Sequence, residues 1–320
     1  MGRSSHAELF EEYTTNDNTD RYKHLKQAED LTSPIFNLIP RLLHGFSQIM
    51  LQKSAVTGLF FVIGIGINSL TMMLGGIIAT LSGLIIAKLC RYDSELIGNG
   101  IYGYNAALVG IALFYFLPLS QLSLVLLVCA SALSTIIMHY LLRRIPVNSV
   151  FTTPFIISTW LVLLLIDMAG INTSVAPFST QASSDFYSLT RGVGQVMFQG
   201  YWLSGVIFII GLLFHSYQAA IWAVIGSGLG MLTARVGSFS ESNVLMGAYG
   251  FNASLVALAL TARYPNTPIP AVLGVMLSVL LTRAFEVVSL PALTAPFVLT
   301  TWLIIGMMGI KNRLSEYRSL

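Results

Sequence analysis

Residues 98–113 read "GNGIYGYNAALVGIAL", and residues 245–260 read "LMGAYGFNASLVALAL". The tetrapeptides beginning at Tyr102 and Tyr249 stand 147 positions apart, each at the start of an apolar run. One repeated tetrapeptide carries little weight, but two further stretches echo in the same order. "HGFSQIMLQKSAVTGLFFVIG" at 44–64 matches "RGVGQVMFQGYWLSGVIFIIG" at 191–211, again 147 apart. "TTPFIISTWLVLLL" at 152–165 matches "TAPFVLTTWLIIGM" at 294–307, now 142 apart, so the second half has lost five residues between its second and third boxes. Three ordered matches mark an internal duplication.

The composition says where the two copies reside. The chain of 320 residues is 55% hydrophobic and 10% charged, with a mean hydropathy of +0.74. A soluble domain carries about a quarter charged residues, so lipid must cover this surface. Apolar runs of roughly 17–25 residues can cross a bilayer, and Ala55–Met73, Leu122–Leu142 and Phe151–Met168 qualify. The net charge of +3 is spread out with no basic block, which argues against a nucleic-acid partner. Cys90 and Cys129 lie in or beside apolar segments and are read as buried thiols. No disulfide framework and no CxxC metal pattern is present.

Residues 1–33 form a polar tail without an apolar core segment, so they are not a signal peptide. They are read as exposed and cytoplasmic. The first membrane repeat covers 34–170, a polar linker 171–190, the second repeat 191–310 and a C-terminal tail 311–320. Two formal glycosylation sequons start at Asn172 and Asn252; the second, inside a box, is read as unused.

Each half shows about six apolar segments, in the first half near 35–51, 54–73, 75–90, 96–117, 121–142 and 151–169. The first and fourth carry Gly, Asn, Gln and aromatic residues at their edges. Irregular backbone at membrane depth is tolerated only when buried in protein or lining a water-filled path, so such segments enter the membrane without a simple crossing. One re-entrant segment per half leaves five crossings and inverts the second half; six crossings would give parallel repeats. The segment count alone leaves both open.

Few ionisable residues stand at membrane depth. Glu95 and Glu241 are read as interfacial, and His139 and His215 as packed or hydrogen-bonded. Arg283 and Glu286 are spaced to pair on one helix, and an intramembrane ionisable pair is a functional candidate by default. No catalytic triad, P-loop or metal cluster is visible, so no enzyme activity and no cofactor are expected.

The boxes resemble the urea transporter family. The similarity rests on "GQVMF" (194–198), "YGFN" followed by Leu255, and "TAPF" (294–297), with first-half partners "SQIML" (47–51), "YGYN" with Leu108, and "TTPF" (152–155). It spans roughly 35–310. The resemblance implies an all-α polytopic membrane protein of two inverted repeats, each with about five transmembrane helices and a re-entrant pore helix. It also implies a homotrimer with one pore per subunit, urea as permeant and lipid as surroundings. The lack of large insertions looks like the bacterial members, which places the chain in a bacterial inner membrane. The implied activity is channel-like facilitated diffusion of urea.

Urea is small, neutral and planar, with four N–H donors and one carbonyl. Stripping water from an amide without replacement costs roughly 2–7 kcal/mol, so a urea pore must return those hydrogen bonds. Gly and Asn in the YG(Y/F)N turns can break or cap a helix end and free backbone carbonyls. Gln48 and Gln195 occupy equivalent positions, and each can donate and accept. The competing reading is an interhelical amide pair that glues helices in lipid. The resemblance implies apolar slots that sandwich urea, mapping to Leu51 with Tyr104 and to Phe198 with Phe251. It makes Ile49, Leu108, Val196 and Leu255 their flanking walls. Leu51 with Tyr104 departs from the usual Phe pair, implying a looser, more polar slot. Thr152 and Thr294 precede Pro154 and Pro296 in the T-x-P-F boxes, where a Thr is a plausible N-cap; the resemblance instead points them at the pore centre. Two rivals stand beside the urea channel: an ion- or proton-coupled secondary transporter, and a channel for other small neutral solutes such as amides, ammonia or water.

Overall fold

Seryl residues punctuate the apolar sequence. Ser54 caps helix α2 (Ala55–Asn68) by accepting from the Thr57 N–H. Ser69 closes α2 and, from an extended backbone, caps α3 (Leu70–Leu89) by accepting from the Met72 N–H. Its equivalent Ser216 does the same for α11. Such a side chain satisfies amide groups that lipid cannot, so one residue suffices to separate two apolar helices.

The computed structural model describes residues 34–171, 173 and 184–318. The tail at 1–33, most of the linker with Asn172, and the last two residues lie outside the described residues. The first half continues from α1 (Pro34–Gln48) through α2 and α3 to α4 (Ser94–Gly98), α5 (Tyr104–Phe116), α6 (Gln121–Leu142), α7 (Val147–Val150) and α8 (Thr153–Met168). The second half repeats the order as α9 (Asp185–Gly194), α10 (Trp202–Leu213), α11 (Tyr217–Val236), α12 (Glu241–Leu245), α13 (Phe251–Arg263), α14 (Ile269–Val287) and α15 (Ala295–Arg318). A short 3₁₀ turn at Gln195–Met197 follows α9. Every regular element among the described residues is helical. The second half has no counterpart of α7, which is where its five residues are missing. Two boundaries differ from the sequence expectation: α9 begins inside the stretch read as linker, and α15 runs on past residue 310.

Rows of large apolar side chains stand exposed at helical spacing, such as Val56, Leu59, Ile63 and Ile67 on α2 and Leu70, Leu74, Ile78 and Ile85 on α3. A soluble monomer rarely exposes such continuous apolar surface. With four helices among the described residues long and apolar enough to cross a bilayer (α3, α6, α11 and α14), the chain is an all-α polytopic membrane protein. A fifth span is reached if α9 and its 3₁₀ turn are joined to α10 across a 75° bend. The expectation of about five crossings per half is not met by helix length alone. At about 1.5 Å per residue, α2, α5 and α13 fall short of the ~30 Å hydrocarbon core. The segment read as one run at 96–117 is split into α4, a turn and α5.

In lipid, outside is as apolar as inside. This corrects the reading of Cys90 and Cys129 as buried: both are exposed, Cys129 on α6 among exposed Val125 and Val128. His215 is likewise exposed, in the turn after α10, whereas His139 stacks on Tyr92 with ring centroids 3.7 Å apart and its Nδ1 lies 3.1 Å from the Tyr102 hydroxyl.

The halves meet through reciprocal bonds. Thr57 Oγ1 donates to the Gly211 carbonyl at 2.9 Å, and its equivalent Ser204 donates to the Gly64 carbonyl, the equivalent of Gly211, at 2.7 Å. Trp160 Nε1 donates to Pro291 O at 2.8 Å, and Trp302 Nε1 to Ser149 O at 2.7 Å. Phe61 packs on its own equivalent Phe208 at 5.0 Å between centroids. Residue i touching j while equivalent j touches equivalent i is the rule of a two-fold contact. The start of α2 meets the end of α10 and the reverse, so these equivalent helices run antiparallel.

Candidate functional site

The boxes fold into paired turns. After α1 the chain doubles back through Leu51, whose N–H bonds Gln48 O at 2.9 Å, and Gln52 N bonds Ser47 O at 3.1 Å. After α9, Phe198 N bonds Gln195 O at 3.0 Å and Gln199 N bonds Gly194 O at 3.1 Å. Leu51 and Phe198 both take a left-handed backbone, each at φ 61°. A bulky residue there costs of order 1–3 kcal/mol and persists where surroundings over-determine it, often at functional sites. The chain accepts this strain at one residue of each pair mapped to a slot, Leu51 and Phe198. Among the described residues nothing donates to the carbonyls of Ile49, Leu51, Val196 or Phe198.

Gln48 Nε2 donates to Asn99 O at 3.1 Å, and Gln195 Nε2 donates to Met246 O at 3.2 Å. Each amide is held by the turn before α5 or α13. The two glutamines do not bond each other; each bonds a backbone carbonyl on a neighbouring turn. Gly100 and Gly247 make those turns possible: at φ 77° and 80°, a Cβ would lie 2.5 Å from backbone atoms of residues 44–45 and 191–192. Next to them His44 Nδ1 lies 2.9 Å from Gly98 O, and in the second half Arg191 Nη1 donates to Leu245 O at 3.0 Å.

The asparagine of each turn has a role other than freeing carbonyls. Asn105 accepts from the Phe155 N–H at 3.2 Å and donates Nδ2 to Phe151 O at 3.3 Å. Asn252 accepts from Phe297 N–H at 3.1 Å and donates to Leu293 O at 3.2 Å. Both are fully buried, so the sequon at Asn252 is inaccessible. Each staples the second box to the third, satisfying a first-turn N–H of α8 or α15 and the carbonyl of a left-handed residue, Phe151 at φ 49° or Leu293 at φ 46°. This corrects the expectation that the Asn caps its own helix.

The staples bring the helix starts together. Thr152 precedes α8 but its side chain makes no capping bond. Its Oγ1 lies 2.6 Å from Thr294 Oγ1 instead. Both residues are buried, and the pair joins equivalent atoms across the two halves.

Two cavities are lined by residues of the boxes, and one of them reaches the pair. One, of about 380 Å³, is lined by Gln195, Val196, Phe198 and Phe251 and reaches Thr294. The other, of about 340 Å³, is lined by Gln48, Leu51, Tyr104 and Phe151. Ile49, Leu108 and Leu255 are buried in the core and, like Thr152, line neither cavity. The Tyr104 hydroxyl donates to the carbonyl of Phe151, which lines the same cavity.

Sequence reasoning missed the opposite walls. Tyr115 and Phe116, from the end of α5, enter the larger cavity and pack on Phe198 with centroids 5.1 and 6.0 Å away. Their equivalents Ala262 and Arg263, from the end of α13, line the other cavity. Each mouth thus takes one wall from the other half. The signal was the mismatch of Tyr115-Phe116 with Ala262-Arg263 at the 147-residue offset. Glu286 also borders the larger cavity, paired with Arg283 at 2.9 Å and accepting from Asn243 and the Tyr249 hydroxyl.

The family model "Urea transporter" matches residues 39–309. The chain belongs to the urea transporter family. It is 28% identical over 304 residues to urea transporter 1 of sheep (Ovis aries), goat (Capra hircus) and mouse (Mus musculus), covering 85% of this chain and 77% of each relative. Within this family of transporters, the strained turns, glutamines and central threonines described above fall inside the matched span.

Proposed function

We propose that the chain conducts urea passively down its gradient, through a path that runs from one cavity past Thr152 and Thr294 to the other. The observation that carries this reading is a pair of equivalent cavities, each with a left-handed slot residue and a glutamine, one of which reaches Thr294 of the hydroxyl pair. Slot faces exclude bulk water from flat urea, while the glutamines and the carbonyls of residues 51, 196 and 198 offer acceptors to its N–H groups. Without such acceptors the crossing would carry a barrier of several kcal/mol. Aromatic and aliphatic faces give a cation little compensation for lost water.

The antiparallel packing of α2 on α10 supports an inverted repeat, with the two-fold axis in the membrane plane. On that reading α4–α5 and α12–α13, each with its intervening turn, complete the short crossings. The family resemblance supports a homotrimer with one pore per subunit. The absence of large insertions supports a bacterial inner-membrane setting.

Stopped-flow urea uptake by reconstituted vesicles tests the function, with thiourea and ammonium gradients as challenges. Saturable-free, pH- and sodium-independent urea flux is expected. Dependence of flux on a proton or sodium gradient would replace the channel with a coupled transporter.

A further inference from the structure

The two mouths carry different charge. Glu286 at the larger cavity is compensated by Arg283 at 2.9 Å and by hydrogen bonds from Asn243 and Tyr249. The smaller cavity is lined by no carboxylate, yet it includes the guanidinium-bearing Arg263. Arg263 is exposed and makes no ion pair or hydrogen bond with the described residues. Phe116 stands at its equivalent position in the other mouth.

We propose that the Gln48-side mouth is a recognition site for small planar carboxylates anchored by Arg263, so that it sorts urea-shaped solutes by charge. The inference rests on the urea pathway above. A guanidinium fork matches two carboxylate oxygens in one plane. The exposed Asn148 amide and the free part of the Gln48 amide lie in the same cavity, and Leu51 and Tyr104 supply apolar faces for a flat body. Acetate and carbamate have the size and planarity of urea and carry the charge this mouth attracts. Guanidinium has the same shape and the opposite charge. At separations of about 6 Å near solvent, one unpaired charge changes local solute concentration by roughly three- to tenfold, and added salt weakens that effect.

The test combines binding with flux. Saturation-transfer NMR of acetate on the detergent-solubilised protein reads the site without any transport. A clear acetate signal is expected for the native chain and a loss of about threefold or more in both Arg263→Gln and Arg263→Phe. In vesicles, external guanidinium should inhibit urea flux about three- to tenfold more strongly after Arg263→Gln. An acetate signal absent from the native protein, or unchanged in Arg263→Gln, overturns the inference. Native vesicles that pass no urea would sink the pathway instead, and the acetate comparison would still decide the site.

Discussion

At the Gln195-side mouth, Phe198 is enclosed by Tyr115 and Phe116; at the Gln48-side mouth, Leu51 shares its cavity with Ala262 and Arg263. Beneath them the backbone is the same: both slot residues sit at φ 61°, and both following glutamines return an N–H to the equivalent carbonyl. Duplication has kept the turns, the asparagine staples and the reciprocal bonds while the walls changed. Backbone geometry in a membrane is unforgiving, because every polar group needs an internal partner. Wall residues face a cavity and answer only to what enters it.

If that division holds, the halves should respond alike to damage in the shared part and differently at the walls. The largest effect is expected from Asn105→Ala and Asn252→Ala. Asn252→Ala strands the buried Phe297 N–H and Leu293 carbonyl, at about 1–3 kcal/mol apiece, and should lose about 2–6 kcal/mol in detergent unfolding. Asn105→Ala strands the Phe155 N–H while Phe151 O keeps the Tyr104 hydroxyl, and should lose about 1–3 kcal/mol. A loss in one half with none in the other would break the symmetry argument.

Next comes the double variant Thr152→Val, Thr294→Val. Neither hydroxyl caps a helix, and replacing both partners with isosteric groups is nearly neutral to stability. Urea flux per folded chain should fall about five- to tenfold, the scale of one or two lost hydrogen bonds, with the melting temperature little changed. Native flux would remove the pair from the path.

The walls should separate the mouths. Phe198→Ala opens a slot packed by three aromatic rings, from Tyr115, Phe116 and Phe155. It is expected to raise thiourea flux relative to urea several-fold, whereas Leu51→Ala should change that ratio by about twofold or less. Equal changes would mean that the aromatic wall does not set selectivity. The smallest effect belongs to Trp160→Phe and Trp302→Phe. Each loses one indole bond across the halves, and each should cost about 0.5–1.5 kcal/mol, equal within error in unfolding measurements.

The duplication was legible because three boxes repeat in order, and with it the equivalence of Thr152 and Thr294. The sequence could name Asn105 as repeated but not what it touches, since Phe155 lies fifty residues on and is reached only by folding. Thr152 read equally well as a cap, because a Thr before Pro looks the same whether its hydroxyl turns inward to the helix or across to another. Cys90 and Cys129 misled through a rule made for water, where apolar neighbours mean burial. Tyr115, Phe116 and Arg263 escaped because they lie outside the repeated words, at helix ends where the copies no longer agree.

The pair Thr152 and Thr294 has one last consequence. Two equivalent oxygens 2.6 Å apart can share only one hydrogen between them, and either can supply it. At any instant one hydroxyl gives its proton to its twin and keeps its lone pairs open. The other receives and points its own proton away. A symmetrical doorway is therefore never symmetrical while shut: on the proposed path, one side offers a lone pair to urea's N–H and the other a proton to urea's oxygen. Turning two C–O bonds exchanges the sides, so the molecule at the centre can be greeted from either direction without moving any part of the backbone.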